Sequence, residues 1–334
     1  MKVNPLHAIW LLGILCFGSF AVYTQQNERA AATQVFQSGD YSKAAELFKK
    51  LVKTNDKDAE VWYYLGTAYF HLDKFKDAIK SLQKAVDLEQ KNDRYHTNLA
   101  YTYLVTRDDR AYKTAAETLE INPQRAEAHY ILGVISYRDE SYANAYNRAK
   151  RAIEINPKYA APYRLKSQAL VASFLALSGK VLPPASRSDL LLEAVSDLEK
   201  YLALVTDTRK EIESELENLR YFAKYYSLPE NRIARDVTIT EPPDPTTTAL
   251  KIISNPRPEY TNHARGKGIS GTLRLLVAFD ASGKIGPILV IKSLDDGLDL
   301  EAIRAARSIS FKPSTKKGLP VSTVKTLEYT FSIY

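Results

Sequence analysis

Trp62-Tyr-Tyr-Leu65-Gly66-Thr-Ala-Tyr69, followed by Ala78, Leu82 and Ala85, decides the fold of most of this 334-residue chain. Large and small side chains recur at helical spacing, with a small one where a second helix must cross closely. Gly66 leaves that room and Ala78 faces it, while Trp62, Tyr69 and Leu82 fill the holes so created. The pattern returns with a step of about 34 residues. Leu132-Gly133, Ala145, Ala149, Ala152 and Pro157 form a second full copy. Leu99-Ala100, Tyr103, Ala111, Ala115 and Pro123 form another with one residue deleted. Gly39-Asp-Tyr41, Ala44, Phe48 and Leu51 give the second half of a first copy. Pro123 and Pro157 follow Asn122 and Asn156, and each stops a helix before the next unit starts.

This pattern resembles the tetratricopeptide repeat, a pair of antiparallel helices per unit. The resemblance places an α-solenoid at residues 25–226, with repeats at about 25–58, 59–92, 93–125 and 126–159 and an expanded fifth repeat plus capping helix at 160–226. In the last part, helices are predicted from Tyr163 to Leu177, from about Ser188 to Val205 and from Thr208 to Tyr225. The final one is charged and suits the exposed end that a solenoid must cap. The family binds partners along a concave face made by first helices. Carried over, that face comprises Tyr63, Thr67 and Phe70, then Thr97, Tyr101 and Leu104, then Tyr130, Val134 and Tyr137. An aromatic-lined groove suits an extended peptide or a helix. Packing between neighbouring helices is the equal alternative for these tyrosines.

Outward from the repeats the chain changes character. Glu241-Pro-Pro-Asp-Pro-Thr-Thr-Thr248 forces an extended connector, so 227–250 reads as a linker. Beyond it the period becomes two. Gly271, Leu273, Leu275, Val277 and Phe279 share a strand face, with Thr272 and Arg274 opposite. Asp280-Ala-Ser-Gly283 reads as a hairpin turn, and Ile285 to Ile291 returns as a second strand. Asp299 is predicted to cap a short helix carrying Leu300, Ile303 and Ala306. A last strand places Leu327, Tyr329, Phe331 and Ile333 inward. The order β-β-α-β predicts about three strands with helices on one face. The fold class is therefore multidomain, an α-solenoid followed by a small α+β domain.

Tyr260, Ala264-Arg265, Gly268-Ile269-x-Gly271, Asp280-x2-Gly283, Gly297-Leu-Asp299, Ala302-Ile303 and Phe311-Lys-Pro313 resemble the C-terminal domain of TonB-type energy transducers. The resemblance covers nearly all of 251–334. It implies docking on outer-membrane transporters, whose N-terminal segment adds as a strand at the sheet edge. The expected edge is the last strand, with Val324, Thr326, Glu328 and Thr330 along it. The chain departs from the transducer pattern in its anchor, where His7 opens the apolar run and Val3 stands at the earlier position. A transducer's long Pro/Lys spacer is replaced by the repeats.

Lys2 precedes the apolar run Ala8 to Val22, so 1–24 reads as a cleaved signal peptide or a retained signal anchor. Either outcome exports the rest, with the periplasm of a Gram-negative-type bacterium as the expected location and an inner-membrane tether as one outcome. The only cysteine, Cys16, lies in that run, so the exported part has no disulfide or thiolate metal site. The net charge is +7, from 46 basic and 39 acidic residues, and no run of five basic residues suggests a nucleic-acid arm. His7, His71, His96, His129 and His263 show no metal spacing, and His96 and His129 occupy the repeat position of Trp62. Asp295-Asp296 with Asp299 reads as a turn and helix cap rather than a cation site. No catalytic constellation, metal site or cofactor is expected. The reading is a non-enzymatic envelope protein that binds proteins or peptides, similar to transport energy transducers. The alternative is a periplasmic assembly scaffold without a role in energised transport.

Overall fold

The computed structural model describes residues 26–176, 187–206, 210–228 and 246–332. The N-terminal apolar run with His7 and Cys16, residues 177–186, residues 229–245 of the linker and Ile333 lie outside them. The chain falls into two compact units that divide between Ile135 and Ser136.

The first unit is built of helices α1 (26–37), α2 (Tyr41–Thr54), α3 (Ala59–His71), α4 (Phe75–Leu88), α5 (Asp93–Val105), α6 (Arg110–Ile121) and most of α7 (Ala126–Arg138). Asp40 and Asp58 cap α2 and α3 by accepting from the amides of Lys43 (3.0 Å) and Val61 (3.1 Å). Leu82, Ala85, Leu99, Ala100 and Tyr103 are buried together with Ala111, Ala115 and Ile131, and Ala78 is also buried. The close crossing predicted at Gly66 is present: a Cβ there would meet Leu82 Cγ at 2.7 Å and the Ala78 carbonyl oxygen at 3.1 Å.

Two devices in the turns keep the repeat in phase. Within each helix pair one residue takes the left-handed conformation: Gly39, Asp73, Arg107 and Glu140, with φ between +55° and +85°. Three of these are not glycine, a substitution that normally costs about 1–2 kcal/mol. Between pairs, Asn55, Asn122 and Asn156 accept from the amide two residues on through their side chains. A donor then reaches back six residues to a turn carbonyl. Trp62 Nε1 donates to Asp56 O at 2.9 Å and Tyr163 Oη to Pro157 O at 3.2 Å. His96 and His129 Nε2 do the same to Gln90 O (2.9 Å) and Pro123 O (3.1 Å). A carbonyl only accepts, so both imidazoles carry their proton on Nε2.

The second unit contains α8 (Tyr142–Ile155), α9 (Ala160–Ala176), α10 (Arg187–Leu204) and α11 (Lys210–Ser227). Lys166 on α9 bridges Asp197 (3.0 Å) and Glu193 (2.8 Å) of α10, and Tyr146 of α8 donates to Glu193 at 3.0 Å. The C-terminal part follows as β1 (Lys251–Ser254), α12 (Asn262–Gly266), β2 (Gly271–Phe279), β3 (Ile285–Lys292), α13 (Asp296–Arg307), β4 (Ser310–Lys312), β5 (Ser314–Lys316), β6 (Leu319–Val321) and β7 (Thr323–Phe331). The main sheet is antiparallel in the order β3-β2-β7, and β1-β4 and β5-β6 form two-stranded ribbons. Gly283, at φ +84°, makes the β2–β3 turn, where Asp280 N–H donates to Lys284 O.

Three predictions need correction. The helix cap is Asp295, which accepts from Gly297 N–H at 3.0 Å, and Asp299 lies inside α13 with its carboxylate on Leu294 N–H. Helices cover the sheet on both faces, not one. Leu273, Leu275, Val277, Phe279, Ile288 and Leu327 pack on α13, while Leu276, Ala278, Leu289 and Ile291 join Leu219, Phe222 and Ala223 of α11 in a separate core. Finally, α11 does not end in solvent. Its apolar face carries the sheet.

The junction is also polar at its rim. Lys292 of β3 pairs with Glu140, and Tyr142 of α8 lies within electrostatic reach of Arg274. Burial, reinforced by Asp296 and Asp295, pushes the Asp299 carboxyl up to about 7, against hydrogen bonds from Ser293 and Leu294. Burial likewise raises Glu215 of α11, opposed by Arg164 and reinforced by Asp296.

Gly66→Ala would gain about 1 kcal/mol in an open helix. Here the clash with Leu82 should reverse the sign, with a loss of roughly 1–3 kcal/mol in urea unfolding. Leu289→Ala should cost roughly 2–5 kcal/mol and accelerate amide exchange in α11 as well as in the sheet. A folded-state carboxyl pKa near 7 binds its proton more tightly than the unfolded value of 3.8. Stability from Asp299 is therefore full below about pH 4 and declines as pH rises to about 7. Melting midpoints measured from pH 5 to pH 8 should fall less for Asp299→Asn than for the parent chain.

Candidate protein-docking site

In the first unit the predicted groove positions separate into buried and accessible ones. Tyr63, Thr97 and Leu104 are core residues, 8%, 3% and 4% exposed. Tyr63 stacks on Tyr95 (centroids 5.0 Å apart) and carries the Arg94 guanidinium 4.2 Å above its ring. Burial, with the negative charges of Glu89 and Glu60, pushes the Tyr95 phenol up to about 12, so it stays neutral. The Thr97 hydroxyl donates to the Asp93 carbonyl at 2.6 Å, and Leu104 packs in the helix core. These side chains support the face from beneath and do not line it.

What remains open on α3 and α5 is Thr67, Phe70 and Tyr101, with Tyr101 39% exposed and its ring 5.6 Å from Phe70. Two residues beyond the predicted set belong to this surface. Asn98 donates its amide to Tyr63 Oη (2.9 Å) and Thr67 Oγ1 (3.3 Å), tying α5 to α3. Arg94 also approaches Glu60 at 3.9 Å. Arg94, Asn98 and Tyr101 follow i, i+4, i+7, a face the sequence shows once the phase of α5 is known. Tyr130 and Val134 on α7 are half-buried.

Tyr137, the last groove position, is in the second unit and does other work. Its hydroxyl reaches the backbone of Ser293, between the charges of Asp299 and Glu215, and burial raises its pKa strongly. It belongs to the sheet junction, because the β3–α13 connection sits over it.

The predicted docking strand is β7. It pairs with β2 through nine residue pairs from Gly271↔Phe331 to Phe279↔Thr323, and it ends the sheet order. Its other backbone edge has no strand partner among the described residues. Leu327, Tyr329 and Phe331 point into the core with α13, and Val324 packs on the core shared with α9–α11. Glu328 and Thr330 lie on Val324's face, where Glu328 pairs with Arg274 at 2.7 Å and Thr330 with Thr272 at 3.2 Å. Thr326, on the same face, is half-buried. Thus β7 has one face buried on α13, the other packed at Val324 and exposed at Glu328 and Thr330, and an open backbone edge of the kind that strand addition uses.

The remaining candidates for chemistry have structural partners. His96 and His129 hold turn carbonyls, and His71 stacks on Tyr41 at 4.0 Å. His263 is exposed on α12. Among the described residues no group of three His, Cys, Asp or Glu side chains could hold a metal, and no helix is long and apolar enough to cross a membrane. An open depression of about 750 Å³ in the first unit is lined by Lys74, Lys76 and Arg107 together with Asp73, Asp77 and Asp108. Its mixed charge selects no ligand of one sign.

A part of the chain is 26% identical over 132 residues to BBSome complex member BBS4 of Bos taurus, covering 39% of this chain and 25% of that protein. The Mus musculus protein is 29% identical over 123 residues, 36% of this chain and 24% of its own length. The chain therefore spans about a quarter of these relatives. Among solved structures, PilW, a widely conserved type IV pilus biogenesis factor, is 16% identical with a TM-score of 0.49, over 60% of this chain and 86% of that one. MamA is 20% identical with a TM-score of 0.45, over 56% and 98%. Residues 35–100 match the tetratricopeptide repeat family, and 256–333 match the Gram-negative bacterial TonB protein C-terminal family. The chain is a tetratricopeptide-repeat solenoid that ends in a TonB C-terminal domain.

Proposed function

We propose that this protein is a non-enzymatic docking adaptor of the bacterial cell envelope, exported by its N-terminal segment and working in the periplasm. The open edge of β7, on a sheet whose two faces are both covered, carries this reading. An extended segment of an envelope protein adds there as a fourth strand, with backbone pairing supplying affinity. The N-terminal stretch of an outer-membrane transporter is the partner that the TonB-type domain suggests. The repeats take a second protein segment on Thr67, Phe70, Asn98 and Tyr101. The 227–250 segment joins the two parts in sequence, while the sheet rests on α9 and α11.

The buried second face favours an assembly scaffold over a force transducer. A sheet seated on α9 and α11 serves as a fixed dock, and energised transport is not required for it.

Capture of partners from native envelopes by the full chain tests the reading. Thr326→Pro places a proline on the docking strand and should reduce capture of one partner set on the order of tenfold. Phe70→Ala with Tyr101→Ala should reduce the other set by a similar factor, since exposed aromatic anchors dominate such surfaces. Both variants should keep a cooperative thermal transition. Undiminished capture by folded Thr326→Pro would move docking off β7.

A further inference from the structure

A second surface of the C-terminal part has the makings of a contact of a different kind. The β1–β4 ladder pairs Lys251 with Lys312, and the Thr248↔Thr315 bridge continues it in the same register toward β5 and β6. One face, with Ile252 and Phe311, belongs to the core. The opposite face carries Lys251 and Lys312 side by side, and strand alternation puts Lys316 with them. Leu319 is the cross-strand partner of Lys316. The bulge between Ile252 and Ser254 sets Ile253 beside Ser254 opposite Ser310, on this same outer face.

Two features set this face apart from an ordinary solvated ribbon. Lysines directly opposite each other repel, and among the described residues none of the three forms an ion pair with a carboxylate. Beside them stand the two most exposed large apolar side chains in the described residues, Leu319 at 70% and Ile253 at 60%. Apolar tips among uncompensated ammonium groups match the headgroup layer of an anionic bilayer, which offers phosphate to the lysines and hydrocarbon to the tips.

We propose that the outer face of the β1-β4 and β5-β6 ribbons is a membrane-docking surface for anionic phospholipid. Lys251, Lys312 and Lys316 seat on the phosphates, and Ile253 and Leu319 enter the headgroup boundary. This surface is built on other strands than β7, which it adjoins at the Ser314–Thr323 contact, so it would hold the domain at a bilayer while the β7 edge takes a strand.

The test uses the full chain with Cys16→Ser and Leu319→Cys, labelled at the single thiol with an environment-sensitive fluorophore. Because residues 8–22 are apolar, the signal is read at position 319 and not from co-sedimentation. Vesicles of equimolar phosphatidylcholine and phosphatidylglycerol should shift the emission to the blue, and pure phosphatidylcholine should not. Adding Lys251→Gln with Lys312→Gln should weaken the titration roughly 25-fold, about fivefold for each lysine near an anionic surface. Raising the salt should weaken it in the parent chain. The proposal is overturned by no shift on anionic vesicles, by an equal shift on neutral ones, or by a titration indifferent to the glutamines. A shift with soluble polyglutamate but not with vesicles overturns it in favour of an acidic polymer. With neither, the lysines serve only to protect a strand edge from aggregation.

Discussion

The second face of the β3-β2-β7 sheet is the constraint on which the C-terminal half depends. A three-stranded sheet with one covered face would leave Leu276, Ala278, Leu289 and Ile291 in water. Their burial on α9 and α11 removes that apolar area and fixes which strand edge stays available. The same contact supplies α11 with a partner for Leu219, Phe222 and Ala223, so helices and sheet complete one another. Helices α9 to α11 and the TonB-type segment thereby share a core, although a linker separates them in sequence.

Polar groups at the rim shape this contact. Glu140–Lys292, Tyr137 beneath Ser293, and the raised carboxyls of Asp299 and Glu215 surround an apolar centre. Buried acids that prefer their protonated form make the junction firmer in mild acid, opposite to the usual loss of paired carboxylates. Lys166 with Asp197 and Glu193 forms a mixed cluster between α9 and α10. The Lys166 ammonium helps hold Glu193 below the usual carboxylate range, whereas burial pushes Asp197 up to about 6 despite the same neighbour, and removal of Lys166 would leave Asp197 with the full desolvation cost.

Much of this was legible from residue patterns. Gly66 with Ala78 and Leu82 announced the helix crossing, and Asp280 to Gly283 announced the hairpin. The doubly covered sheet was also written in the sequence, since Ile288-Leu-Val-Ile291 is apolar at every position and not at alternate ones. Period-two reading of β2 alone hid it. The groove was harder, because repeat-equivalent positions give the phase of a helix but not how deeply each side chain sinks. Tyr63 and Thr97 were placed in the groove by the repeat resemblance, yet here Asn98, Arg94 and Tyr95 enclose Tyr63, and the Thr97 hydroxyl turns back to the Asp93 carbonyl. Tyr137 could not have been placed from the repeats, for Ser293 and Asp299 beside it lie more than 150 residues away in the chain.

The six-residue clamp shared by Trp62, His96, His129 and Tyr163 has a consequence for how the chain folds. Four side chains of three kinds satisfy one demand, a donor at a fixed height above a turn carbonyl. Closing so short a loop takes on the order of 10–100 ns and needs no distant segment. Each inter-repeat corner can therefore set its own angle before the helices on either side have stacked, and nucleation is free to start at any of several places along the array. The strands have no such freedom, because their inner and outer cores are assembled from residues far apart in the chain.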